Sequence, residues 1–207
     1  MRGARAAVKK NARTKLYRIK VISMGDMSVG KSCLIKRFCE EKFISKYIPT
    51  IGVDYGVKPF KCGEYEVRVN LWDLAGSEAY VEVRSEFYRE AQGCLLVYDV
   101  TSRSSFESLG RWLAESKAHG ADNMVIAVAA TKSDTPMRRV QEREGREWAA
   151  SQGLAFFEVS ACSGAGVKPL FTALFARMLA TIPGIPEELT SLCVQQATMA
   201  RQGEELE

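Results

Sequence analysis

The stretch GDMSVGKS at residues 25–32 has the spacing G-x-x-x-x-G-K-[ST]. Such a loop turns successive backbone N–H groups and the start of the following helix toward one point, which suits phosphate oxygens. Lys31 would reach the outer phosphates, and Ser32 would offer its hydroxyl to Mg²⁺. A chance match is expected in about one chain in a hundred of this length, and the strand-like run before it and the helical run KSCLIKRFCEE after it speak against a plain turn. Residues 72–78, WDLAGSE, read as the end of a buried strand entering a glycine hinge at Gly76, with Asp73 where a strand would hand a carboxylate to a metal. TKSD at 131–134 follows an apolar strand, on the rim where open α/β sheets bind ligands. Asp134 there can accept from both the ring N–H and the exocyclic amine of guanine. Adenine presents an acceptor at that ring position and would leave the charge unpaired.

These residues need a sheet to carry them. Strand-like runs cover 17–24, 53–62, 66–74, 93–100, 124–130 and 154–160, and helical patterns lie between most of them. Phe106, Leu109, Trp112 and Leu113 form one helical stripe; Leu170, Phe171, Leu174, Phe175, Met178 and Leu179 form the most regular one, with Pro169 in its first turn. Strands alternating with helices predict an α/β fold of three layers, a six-stranded, mostly parallel sheet covered on both faces.

The 207 residues, 46% hydrophobic and 26% charged, are the profile of one ordinary domain plus tails. The longest apolar runs are far shorter than the roughly 20 residues of a membrane span. Of the net charge of +4, seven basic groups and no acid fall in residues 1–18, while residues 185–207 hold five acids against Arg201. The middle is nearly neutral, which argues against a nucleic-acid groove. Six cysteines with no C-x-x-C pair are expected as reduced thiols in a cytoplasmic protein.

GDMSVGKS, YIPTIGVDYGVK, NLWDLAGSE, EFYREAQGCLLVYDVTSRSSFESL, TKSD and EVSAC stand in the order and spacing of Ras-superfamily small GTPases, P-loop proteins built on a small G-domain. The chain resembles the Rab branch over roughly residues 17–182, and within it the RJL group, Rab-like proteins some of which carry a J domain. Residues 1–16 are expected as a basic arm, 17–182 as the G-domain and 183–207 as an acidic tail too short for a J domain. The resemblance implies GTP or GDP and Mg²⁺ as ligands. The backbone of Asp26, Ser28, Val29, Gly30, Lys31, Ser32 and Cys33 would wrap the phosphates, and Ser32, Thr50 and Asp73 would serve the metal. Phe43 would pack at the guanine edge, Tyr47 would lean over the phosphates, and Thr131 and Lys132 would support the base that Asp134 reads. Ala161, within Ser160, Ala161 and Cys162, would offer its N–H to the guanine oxygen. Two switches, around Thr50 and from Gly76 to about Arg84, would order on the γ-phosphate. Tyr55, Trp72 and Phe87 match a Rab effector-facing cluster or are plain core packing.

The departures concern the reaction. After Gly76 most relatives have a glutamine that orients the attacking water, and even with it Ras turns over at only about 10⁻⁴ to 10⁻³ per second. Here Ser77 is too short to hold both water and phosphate, and Met27 crowds the P-loop position where Ras has glycine. Slow hydrolysis is expected, unless Glu78 or a partner's side chain does the orienting. Thr131 and Cys162 replace the more usual asparagine and lysine. The last cysteine, Cys193, is fourteen residues from the end and followed by an acidic stretch, so no prenylation signal and no lipid anchor are expected. The basic arm could still touch anionic membrane at up to about 1 kcal/mol per basic residue. Expected partners are the guanine nucleotide, effector proteins at the switches and an exchange factor, for a monomer that cycles as a switch or stays GTP-bound as a scaffold. Intracellular transport enters only by analogy with Rabs.

Overall fold

The computed structural model describes residues 15–121 and 123–202. Six strands, β1 (Lys15–Met24), β2 (Val53–Cys62), β3 (Tyr65–Leu74), β4 (Gly93–Asp99), β5 (Val125–Thr131) and β6 (Ala155–Glu158), form one sheet in the order β2-β3-β1-β4-β5-β6. Only the β2–β3 hairpin is antiparallel; β1 pairs in parallel with β3 and β4, and β5 with β4 and β6. Among the described residues seven α-helices and one short 3-10 turn (Glu78–Tyr80) accompany them: α1 (Lys31–Glu40), α2 (Val81–Ser85), α3 (Arg103–Glu107), α4 (Leu109–Ala118), α5 (Glu142–Ser151), α6 (Val167–Thr181) and α7 (Glu187–Gln202).

The strands are apolar on both faces because both faces are covered. Ile19, Val21, Leu95, Val97, Ala127 and Ala129 face a core shared with α1 and α6, where Phe38 stacks on Phe171 at 3.9 Å between ring centroids. One residue along each strand, Ile22, Met24, Cys94, Leu96, Val128 and Ala130 face the other core, closed by Leu109 and Trp112 of α4 and Ala149 of α5. The stripe over 106–113 is divided between α3 and α4 at Ser108. Parallel strands place the P-loop, the β4 end at Asp99 and the β5 end at Thr131 along one rim.

Up to residue 202 the segment after α6 is not simply a tail. Beyond α6 the chain turns at Pro183 and Gly184 and forms α7, whose Leu189, Cys193 and Ala197, four residues apart, are buried in the same core as α6. Glu188 accepts from the Tyr65 hydroxyl at 3.0 Å, and Cys193 Sγ lies 3.5 Å from Cys62 Sγ. Two of the five acids, Glu187 and Glu188, fall in the first turn of α7, where they suit the helix dipole; the other three lie outside the described residues. A stripe of one leucine, one cysteine and one alanine is too thin to stand out as an amphipathic pattern. The expected basic arm lies, up to residue 14, outside the described residues. We expect Leu189→Ala to lower stability by about 2–5 kcal/mol, read from urea denaturation; a loss below 0.5 kcal/mol would mean that α7 does not pack as described.

Candidate functional site

An open cleft of about 590 Å³ lies on the rim and is lined by Lys31, Ser32, Phe43, Tyr47, Thr50, Gly76, Ser77, Thr131, Lys132, Asp134, Ala161 and Cys162, among others. The P-loop runs from β1 into α1 through two left-handed residues, Ser28 and Gly30. Gly25 has φ 141°, and a Cβ there would sit 2.2 Å from the Val97 carbonyl oxygen. Gly76 comes equally close from the other side: its Cβ would lie 2.5 Å from the Asp26 carbonyl carbon and the Met27 nitrogen. The hinge glycine therefore lets the end of β3 touch the P-loop backbone.

Lys31 is buried, and its ammonium donates to the carbonyls of Gly25 at 2.8 Å and Asp26 at 2.9 Å. Burial pulls its pKa from 10.5 down to about 8, against the opposing pull of Asp73 and Asp26. Asp73, buried at the end of β3, accepts from Ser23 at 2.8 Å, from Ser32, and from Thr50 at 3.2 Å; the Ser32 and Thr50 hydroxyl oxygens are 3.0 Å apart. The three residues expected at a metal thus converge. Among the described residues no group of three His, Cys, Asp or Glu side chains could hold an ion. Two hydroxyls and a carboxylate are a hard oxygen set that fits Mg²⁺ completed by substrate phosphates and water, and does not suit a metal held by protein alone.

Support for the base side of the cleft is built from the core outward. The Thr131 hydroxyl faces the Val29 carbonyl at 2.5 Å and the Tyr98 carbonyl at 3.0 Å, tying β5 to the P-loop. Lys132, with φ 60°, donates to the Ser28 carbonyl at 3.1 Å and pairs with Asp99 at 2.5 Å. Asp134 is exposed at the cleft. Arg37 of α1 donates to the carbonyls of Ala161 and Cys162, each at 2.6 Å, which holds the loop after β6. Burial pushes the Cys33 thiol up, so it stays protonated beside the P-loop.

Several expected residues do not line the cleft with their side chains. Val29 and Ser160 are buried, and Ser160 Oγ accepts from the Ser163 N–H at 3.0 Å within its own loop. Asp26 turns away to accept from Trp112 Nε1 at 2.8 Å and Arg111 at 3.1 Å. Ser77 lines the cleft, but its Oγ caps a short turn by accepting from the Ala79 N–H at 3.3 Å. Tyr55, Trp72 and Phe87 stand in a row, with centroids 4.5 and 4.9 Å apart; Tyr55 is exposed, and the other two pack partly against the core. The roles of Arg37, Asp99, Arg111 and Trp112 and of the pair Arg84 and Glu115 escaped the sequence reading. They act through folded contacts; a lone arginine in EVRSEF gives no sign of burial.

The Ras family model matches residues 20–180. The chain belongs to the Ras family. Small Ras-family domains are GTP-binding switches that bind GTP or GDP, typically with Mg²⁺, and the cleft agrees with that chemistry in its P-loop, hydroxyl pair and rim carboxylate. The chain is also similar to DnaJ homolog subfamily C member 27 of Gallus gallus, at 48% identity over 85% of this chain and 66% of that protein. The Bos taurus protein of that name is 50% identical over 78% of this chain and 61% of its own length, and Xenopus laevis member 27-A is 49% identical over 80% and 63%. The chain therefore spans less than two thirds of the length of these relatives. No helix among the described residues is long and apolar enough to cross a membrane.

Gly76→Ala is expected to lower stability by about 1–3 kcal/mol because its neighbours are backbone. Gly110→Ala, in the exposed face of α4 with nothing within 4 Å, should raise it by about 0.5–1 kcal/mol; urea midpoints of the two variants check the contrast. Lys31 gives a pH signature. Its folded pKa lies below its unfolded one, so in the empty protein its cost to stability is full below about pH 8 and vanishes as pH rises to 10.5. A phosphate beside it restores the charged form. Nucleotide binding should therefore take up a proton above about pH 8 and weaken by up to about tenfold per pH unit there, measurable by calorimetry in buffers of different ionisation heat.

Proposed function

We propose that this chain is a Mg²⁺-dependent guanine-nucleotide switch of the Rab-like branch, nearest the RJL group, and that it hydrolyses GTP very slowly. The branch rests on the motifs above and on relatives named DnaJ homolog subfamily C member 27. In this reading the backbone from Asp26 to Cys33 and Lys31 hold the phosphates, while Ser32 and Thr50, with Asp73 behind them, hold the metal. A Mg²⁺ ion held there would supply positive charge against the phosphates. Asp134 accepts from the guanine ring N–H and amine, the Ala161 N–H donates to the guanine oxygen, and Thr131 and Lys132 keep that rim in place. Phe43 and Tyr47 cover the base edge and the phosphates from switch I.

The observation that carries the slow rate is the use of the two side chains that follow Gly76. Ser77 Oγ is engaged with the Ala79 N–H, and the Glu78 carboxylate pairs with Arg111 at 2.6 Å outside the cleft lining. Neither is placed to hold a water against a γ-phosphate. Met27, 58% exposed at the cleft wall, stands where an incoming arginine from a partner would need room. Effectors would meet the exposed Ile48, Ile51, Tyr55 and Val83, which surround the two switches. A second reading, a scaffold that holds GTP almost permanently, is favoured by the same engaged Ser77 and Glu78.

Nucleotide released from freshly purified protein by denaturation and identified by ion-exchange chromatography separates the readings. Intact GTP favours the scaffold, and GDP favours a cycling switch. Single-turnover hydrolysis of loaded GTP should run at or below about 10⁻⁴ per second, and Ser77→Gln should raise it about tenfold; an unchanged rate in that variant would refute this account of the site. Asp134→Ala should weaken GDP binding by about a hundredfold or more while leaving ADP binding as poor as before.

A further inference from the structure

The base side of the cleft is tied to the P-loop by two parallel relays that start at the end of β4. In the first, the Thr131 hydroxyl stands between the Tyr98 carbonyl at 3.0 Å and the Val29 carbonyl at 2.5 Å. In the second, the Lys132 ammonium stands between the Asp99 carboxylate at 2.5 Å and the Ser28 carbonyl at 3.1 Å. Two consecutive residues of β4 thus reach two consecutive P-loop carbonyls through two consecutive rim residues. The Thr131 hydroxyl carries one proton and can donate to only one carbonyl at a time, whereas the ammonium has three and is charged, so the second relay is the stronger.

The two ends of that second relay differ in rigidity. Asp99 is 5% exposed and stands outside the cleft lining. Its Oδ1 accepts from the Thr101 N–H at 2.8 Å and the Thr101 hydroxyl at 2.7 Å, and its own N–H donates to the buried Ser105 hydroxyl at 3.1 Å. Oδ2 is left for Lys132. A buried carboxylate with one oxygen fixed in a tight turn cannot swing away without leaving polar groups unpaired. Lys132 lines the cleft with a half-exposed side chain, on a left-handed backbone. Its four-carbon side chain has many rotamers to choose from unless its end is held. With the ammonium drawn back between Ser28 and Asp99, its charge is matched inside the wall, and the methylene stem is the part left for the cleft.

We infer that Asp99 is a positioning residue for the nucleotide base. It does not touch the ligand; by pinning the Lys132 ammonium to the P-loop it holds the Lys132 stem as a fixed apolar shelf under the face of the base, and so slows release of the nucleotide. This deepens the guanine-nucleotide reading above and rests on it. The shelf meets the ring face while Asp134 reads the ring edge, so Asp99 acts on the lifetime of the complex and not on the choice of base.

Release of fluorescently labelled GDP and IDP, the second lacking the exocyclic amine of guanine, from the full chain in Mg²⁺ and excess unlabelled nucleotide tests it. Asp99→Asn keeps an oxygen for Thr101 and loses the charge that pairs with Lys132. It should speed release of both nucleotides about tenfold and leave the GDP-to-IDP ratio of rates within about twofold of wild type. Lys132→Met keeps an apolar stem and loses the ammonium. It should speed release by a similar factor, and adding Asp99→Asn to it should change the rate by less than about twofold. If Asp99 served only to hold the end of β4 through Thr101, Asp99→Asn would speed release as much in the Lys132→Met background as in wild type, and that result would overturn the assignment. So would release from Asp99→Asn within about twofold of wild type, or a change of about tenfold in the GDP-to-IDP ratio. Should Asp99→Asn fail to fold, Lys132→Met decides alone, since release from it as slow as from wild type would mean that the stem needs no pin. A wild-type chain that takes up neither nucleotide would instead remove the guanine-nucleotide reading, and the shelf with it.

Discussion

A buried carboxylate organises this protein. Asp73 sits 3% exposed at the end of a central strand, where an unpaired charge would cost several kcal/mol. Among the described residues it is met by hydroxyls and forms no ion pair. Ser23 comes from the neighbouring strand β1, Ser32 from the first turn of α1 and Thr50 from switch I. One charge therefore gathers three separately encoded segments and turns their oxygens toward one point. Lys31 is buried close by but bonded to the carbonyls of Gly25 and Asp26.

The second constraint lies across the sheet. α4 packs on β4 in the ordinary way, through Leu109 and Trp112, but its polar face also serves the site. Trp112 and Arg111 hold the Asp26 side chain, and Glu115 holds Arg84. P-loop, switch II and a framework helix are thereby joined by charge-assisted hydrogen bonds, which are directional and about twice as strong as neutral ones. Dispersion contacts alone would not set the orientation of a loop this well, because they tolerate sliding.

The same framework bears on how this chain differs from the family's general pattern. Phosphate binding needs backbone N–H groups, a lysine and hard oxygens, all of which are in place. After Gly76 the chain has a serine that caps its own turn, and on this the proposed slow hydrolysis rests. Thr131 shows the opposite case. A change from the more usual asparagine is absorbed because a hydroxyl reaches the Val29 carbonyl and keeps the rim tied to the P-loop.

The sequence by itself determined the strands, their alternation with helices and many of the residues that line the cleft, because these depend on local patterns. Period-two apolar runs mark β2 over the same bounds as the folded strand, and the G-x-x-x-x-G-K-S spacing marks the phosphate loop without any long-range information. Tertiary structure decided the rest. α7 was hidden because a Leu, Cys and Ala stripe becomes a packed face only when α6 and the β2–β3 hairpin are there to receive it. Arg84, Glu115, Arg37 and Asp99 are charged residues of ordinary appearance, and charge in a sequence reads as surface. The burial of Arg84 and Asp99, and the hold of all four on the loops around the cleft, arise only when segments 31 to 125 residues apart in the chain are folded against one another, since a buried charge is stable only with its partner present.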